Sequence, residues 1–123
     1  RDSIYTPGVP DKPTIYQLTR SYFPHLLRAG VKIYSYTPGF LHAKTWLVDD
    51  RIAAVGTVNL DYRSLYLHFE NSVLIYGGAV LEDVRKDLAE IERESKELTL
   101  GDCRTGFVGT MYSAVLRLVA PLC

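Results

Sequence analysis

Between His42 and Asn59 six residue types stand at fixed spacing, His42, Lys44, Asp49, Gly56, Thr57 and Asn59, in the pattern H-x-K-x4-D-x6-G-T-x-N. Together they can handle a phosphoester. An imidazole that titrates near neutrality can attack phosphorus or protonate a leaving alkoxide. An ammonium two residues away offsets charge on the non-bridging oxygens, and the Asn59 amide can donate to the same oxygens. Gly56 and Thr57 allow a tight loop that brings Asn59 back. Each residue alone has an ordinary explanation: a lone His is usually structural, a lone Lys is usually solvated, and Asp49-Asp50-Arg51 suffices as a hairpin turn. The joint pattern is what points to chemistry.

Several elements must position these groups. Residues 43–48 are rich in β-formers and read as a strand, which puts His42, Lys44, Trp46 and Val48 on one face. His42 and Lys44 are then roughly 6.5–7 Å apart along it. A second strand is expected over 52–55, and a third over 67–76, where Glu70 interrupts an apolar pattern. A carboxylate there needs a partner, unless it lies exposed on an edge strand. His68 reads as a surface residue. Upstream, a helix over 14–29 ends at Gly30 and leads to a strand over 31–35. Pro24 should kink or restart that helix. Residues 56–65 read as loop and turn. A long helix over 79–98 carries the stripe Val80, Val84, Leu88, Ile91 and Leu98, with Glu82/Lys86 and Glu92/Lys96 as i,i+4 pairs on its wet side. The fold class is α/β.

The six-residue pattern resembles the HKD signature of the phospholipase D superfamily. Its flanks are similar to bacterial cardiolipin synthases: Arg20-Ser21-Tyr22-Phe23, then Leu26 to Tyr34, Gly39 to Lys44, Val55 to Ser64, Phe69-Glu70-Asn71 and the closing Arg117 to Leu122. The likeness runs from about residue 14 to the end and matches the carboxyl-terminal half of such an enzyme. It implies a phospholipase D-like half-domain, a mixed β-sheet flanked by helices. It also implies roles for residues: His42, Lys44 and Asp49 catalytic, Thr57 and Asn59 on phosphate, and Glu70 orienting His42. Thr57 stands where serine is commonest and keeps the hydroxyl. No metal or cofactor is implied.

The implied reaction moves a phosphatidyl group between two phosphatidylglycerol molecules, releasing glycerol through a phosphohistidine intermediate. Such a double displacement needs two histidines, and the chain supplies one signature His. The other is expected from an amino-terminal HKD half of a parent chain, or from a second copy across a twofold axis. His42, in the carboxyl-terminal motif, is then the general acid and base. Two alternatives stand beside this: a homodimeric phospholipase D-type phosphodiesterase or nuclease, and an inert half-domain.

Composition bears on the partners. The 123 residues carry 14 basic and 14 acidic side chains, for zero net charge. A nuclease benefits from a basic track along the phosphate backbone, and none is visible, which favours lipid over nucleic acid; phosphatidylglycerol, other anionic phospholipid and a membrane are the partners the resemblance implies. The chain starts at Arg1 without an initiator Met and is expected to be a soluble or peripheral fragment, on the cytoplasmic face, of a cell-membrane parent. Residues 1–13, rich in proline, read as a linker or disordered segment, 14–100 as the HKD domain, and 101–123 as an apolar tail. That tail holds Phe107, Met111, Tyr112, Val115, Leu118, Val119 and Leu122 beside Arg117. It either packs on the domain or forms an amphipathic helix against a membrane or the missing half. Cys103 and Cys123 lack metal-ligand spacing and suit a reduced intracellular chain.

Overall fold

The computed structural model describes residues 2–9, 12–103 and 107–118. The chain opens with a β-α-β unit. Strand β1 (Ser3–Pro7) lies parallel to β2 (Lys32–Tyr36), and helix α1 (Pro13–Arg28) makes the crossover. Residues 1–13, expected as a linker, thus contain a strand of the core sheet. Of the prolines there, Pro7 falls at its end and Pro13 at the first turn of α1, where a missing N–H costs nothing. Helix α1 runs through Pro24 as one element, so the expected restart is not seen. Its C-terminus closes as a Schellman motif: Val31 N–H donates to the Leu26 carbonyl and Gly30 N–H to that of Leu27, both at 3.1 Å. Gly30 supplies the positive φ of 90° that the motif requires.

Two three-stranded sheets follow from the strand pairing. The first is mixed, in the order β1-β2-β6. The second is an antiparallel meander of β3 (Thr45–Val48), β4 (Ile52–Gly56) and β5 (Ser72–Tyr76). A short helix α2 (Tyr62–Tyr66) sits between β4 and β5, where only loop and turn were expected. Asp61 caps it by accepting from Ser64 N–H at 2.7 Å.

Helix α3 (Gly78–Arg93) packs against strands of both sheets. It turns Leu81 inward with half-buried Val84, Leu88 and Ile91, while Val80, expected in that stripe, is exposed. The expected helix to residue 98 stops at Arg93, because residues 95–97 pair with the open edge of β2 as β6 (Ser95–Glu97), and Leu98 N–H donates to the Ile33 carbonyl at 2.8 Å. The expected i,i+4 ion pairs give way to i,i+3 pairs, Arg85 with Glu82, Lys86 with Asp83 and Arg93 with Glu90. Lys96, now off the helix, bonds Asp102 at 2.8 Å instead.

The core sits between α1, α3 and the sheets. Ile33 is fully buried, and Tyr34, Leu18, Phe23, Leu81 and Ala53 are the other buried apolar side chains among the described residues. Helix α4 (Phe107–Leu118) lies against α1. Among the described residues no helix is long and apolar enough to cross a membrane.

Candidate active site

An antiparallel meander puts the start of β3, the end of β4 and the start of β5 at one end of the sheet. Residues 42–44, 57–59 and 70–71 therefore converge. Gly56 N–H donates to the Lys44 carbonyl at 3.2 Å, and Thr57 N–H to the Asn71 carbonyl at 3.0 Å. Gly56 is needed for this approach, because a Cβ there would lie 2.3 Å from the Asn71 carbonyl oxygen and 2.6 Å from Ser72 Cα.

His42 and Lys44 come just before β3, outside the regular strand that was expected to carry them. Lys44 Nζ lies 2.9 Å from both His42 ring nitrogens. An ammonium equidistant from Nδ1 and Nε2 lies along neither lone pair, so the contact is close apposition of the two groups. Phe40 stacks on the His42 ring, centroids 5.6 Å apart at 15°. The imidazole is exposed, as access to substrate requires.

Thr57 links the other two segments. Its hydroxyl donates to Glu70 Oε2 and accepts from Asn71 N–H at 3.0 Å. The Thr57 hydroxyl first, and then that of Ser64, holds the Glu70 carboxyl below the usual carboxylate range; the charges of His68 and Lys44 act in the same direction, against desolvation. An ionised carboxylate thus stands within electrostatic reach of the Lys44 ammonium. Among the described residues Glu70 bonds Thr57 rather than His42. The expected strand over 67–76 begins only at Ser72, since its partner β4 ends at Gly56, so residue 70 lies in an irregular segment.

Asp49 is placed elsewhere. It occupies the turn between β3 and β4, with φ of 51° followed by 53° at Asp50, and Arg51 N–H donates to the Val48 carbonyl at 3.0 Å. That is the positive-φ pair of a I′-type turn, a conformation aspartate tolerates. Five residues of extended chain, roughly 16 Å, separate it from Lys44. The geometry places Asp49 in this turn, apart from His42 and Lys44, with which the signature groups it. Asn59 points toward α2, its amide donating to Ser64 Oγ at 3.4 Å.

Two contributors were missed in the sequence. Ser64 is buried and touches both Asn59 and the Glu70 environment; the capping signal at Asp61 was the available clue. His68 is exposed, as expected, yet accepts from Arg63 Nε at 3.1 Å through Nε2 and turns Nδ1 to within 3.8 Å of Glu70 Oε1. Among the described residues no three His, Cys, Asp or Glu side chains are grouped as a metal site.

A histidine and lysine in contact, a hydroxyl-bonded carboxylate and an amide at one sheet end are groups that can act on a phosphodiester. Comparison with known proteins gives this class a family. The family model described as "Cardiolipin synthase, PLD-like domain" matches residues 3–92. A cardiolipin synthase of Halalkalibacterium halodurans is 52% identical over 120 residues, covering 97% of this chain and 24% of that protein. An uncharacterized protein of Streptococcus mutans is 47% identical, covering 97% and 26%, and cardiolipin synthase 2 of Bacillus anthracis is 45% identical over 95 residues, covering 77% and 18%. The chain belongs to the cardiolipin synthase family of phospholipase D-like domains. It spans about a quarter or less of the length of these relatives.

Proposed function

We propose that this chain is the carboxyl-terminal catalytic half of a membrane-associated phosphatidyltransferase that makes cardiolipin from two phosphatidylglycerol molecules. The observation that carries the reading is the meeting of His42, Lys44 and the Thr57–Glu70 pair at one end of the β3-β4-β5 meander. One signature His is half of a double displacement, and a second half, from the parent chain or another copy, completes it.

In the first step a histidine of that second half attacks phosphorus, a P–N bond forms, and the P–O bond to the headgroup glycerol breaks. His42 gives its proton to the departing alkoxide. In the second step a hydroxyl of another phosphatidylglycerol attacks the phosphohistidine; His42 takes the hydroxyl proton, a new P–O bond forms and the P–N bond breaks. Lys44 offsets the charge that grows on the non-bridging oxygens, and the Asn59 amide assists after turning from Ser64. Glu70, kept ionised by Thr57, acts on the Lys44 ammonium beside His42 through charge.

The test is phosphatidylglycerol turnover in membranes by the full-length parent, wild type against His42→Ala, resolving cardiolipin, glycerol and phosphatidic acid. Cardiolipin and glycerol in equal amounts, lost in the variant, support the transferase. Phosphatidic acid alone sinks it in favour of a hydrolase.

A further inference from the structure

An amphipathic helix on a domain surface normally buries its apolar stripe and shows its polar side to water. The described side chains of helix α4 do the reverse. Its polar anchor faces α1: Arg117 Nε donates to Ser21 Oγ at 3.0 Å and Nη2 to the Ser21 carbonyl, and the guanidinium lies 5.0 Å from the centroid of the Tyr22 ring. Met111, Val115 and Leu118, at i, i+4 and i+7, face outward at 59%, 59% and 81% exposure, with Tyr112 on their flank. The side chain that would ordinarily project into water holds the helix down, and the stripe that would ordinarily be hidden is presented.

Charge on the same layer is one-sided. Helices α1 and α4 carry Arg20, Arg28 and Arg117 and no Asp or Glu, whereas α3 carries five carboxylates, Glu82, Asp83, Asp87, Glu90 and Glu92, against three cations. None of those three arginines is in an ion pair among the described residues, Arg20 donating to the Asp102 backbone carbonyl rather than to its carboxylate. The zero net charge of the chain therefore conceals a cationic helical layer with an outward apolar stripe. An apolar stripe flanked by arginines fits the interface of an anionic bilayer, where apolar side chains enter the acyl boundary and cations stay with the phosphates. A protein partner would need its own apolar strip and acidic rim in register.

We propose that α4 and the adjacent face of α1 dock on an anionic lipid surface, with Met111, Val115 and Leu118 inserted and Arg20 and Arg28 on the headgroups. This is independent of the proposed reaction, since binding requires no turnover. The experiment is flotation of the 123-residue chain with vesicles of phosphatidylcholine alone or mixed with phosphatidylserine, an anionic lipid outside the proposed substrate class. Wild type should float with the mixed vesicles, weakly with phosphatidylcholine, and be released by salt. Val115→Ser with Leu118→Ser, both exposed and so compatible with an unchanged circular dichroism spectrum, should weaken binding on the order of tenfold or more. Arg28→Gln should weaken it about fivefold on mixed vesicles only. No flotation of the wild type, or equal flotation of the double variant, overturns the proposal. So does self-association of the wild type without vesicle binding, abolished by the double variant, which would assign the stripe to a second copy.

Discussion

At the scale of single residues, the site separates side chains that share a signature. Asp49 and Lys44 are five positions apart in the same motif, yet one shapes a turn and the other lies against His42. Asp49→Asn, which keeps a residue tolerant of positive φ, should leave parent turnover within severalfold of wild type, while His42→Ala abolishes it; comparable losses would return Asp49 to the chemistry. Thr57 offers a second test. Thr57→Ser keeps the donor to Glu70 and should retain activity, whereas Thr57→Val leaves the carboxylate without it, and its pKa should rise toward the ordinary range. The sign follows from linkage: a carboxyl depressed in the folded state stabilises the fold above its ordinary pKa, and that contribution disappears as pH falls through the folded value. Thr57→Val should therefore flatten the acid limb of the stability profile, read by thermal unfolding between neutral and acid pH.

Elements impose their own limits. The site exists only while the end of β4 stays against the start of β5, and Gly56 allows that distance. Gly56→Ala must push the strands apart or shift Ser72, with a cost of about 1–3 kcal/mol by analogy with overpacked sites. Because the displaced segment carries Thr57 and Glu70, activity in the parent should fall further than stability does. Chemical denaturation and turnover on the same variant would check both; full activity at normal stability would show that the approach is not required. Gly30→Ala places a side chain at φ of 90° in the α1 cap, far from the site. It should cost more than about 1 kcal/mol without a change in turnover per folded molecule.

For the whole molecule, the two sheets share one helix, α3, and Ile33 is the most deeply buried large side chain among the described residues. Ile33→Ala should cost about 2–5 kcal/mol, and one cooperative unfolding transition is expected to shift as a unit. The segment after β6 is held differently. Asp102 accepts from Lys96, from Thr99 N–H at 2.9 Å and from the Thr99 hydroxyl at 2.6 Å. The Lys96 bond first, then those of Thr99, hold its carboxyl far below the ordinary aspartate value. By the same linkage, this clamp is intact at neutral pH and is lost only in strong acid, as the pH falls through the depressed pKa. Asp102→Asn should remove that dependence, seen as a smaller loss of stability between neutral pH and strong acid than in the wild type.

The motif from His42 to Asn59, the family it marks, the helices around α1 and α3 and the strands β2 to β4 were legible in the sequence, because they rest on residue type, short spacing and local periodicity. Gly30 ended α1 for a reason local to its own φ. What the sequence alone did not settle depends on partners distant in the chain. Residues 3–7 look like a proline-rich linker until β2 supplies their hydrogen bonds, and residues 95–97 continue a helical pattern until the edge of the same strand takes them. The strand expected over 67–76 shortens because β4 runs out of backbone to pair with, which frees Glu70 and His68 from sheet alternation. Only the tertiary structure decided that Thr57 is the partner of Glu70, that Asp49 stands away from the histidine, and that α4 turns its apolar side outward. Each is a choice between long-range contacts that local propensity leaves nearly equal in energy, and burial and hydrogen-bond satisfaction across the fold make the selection.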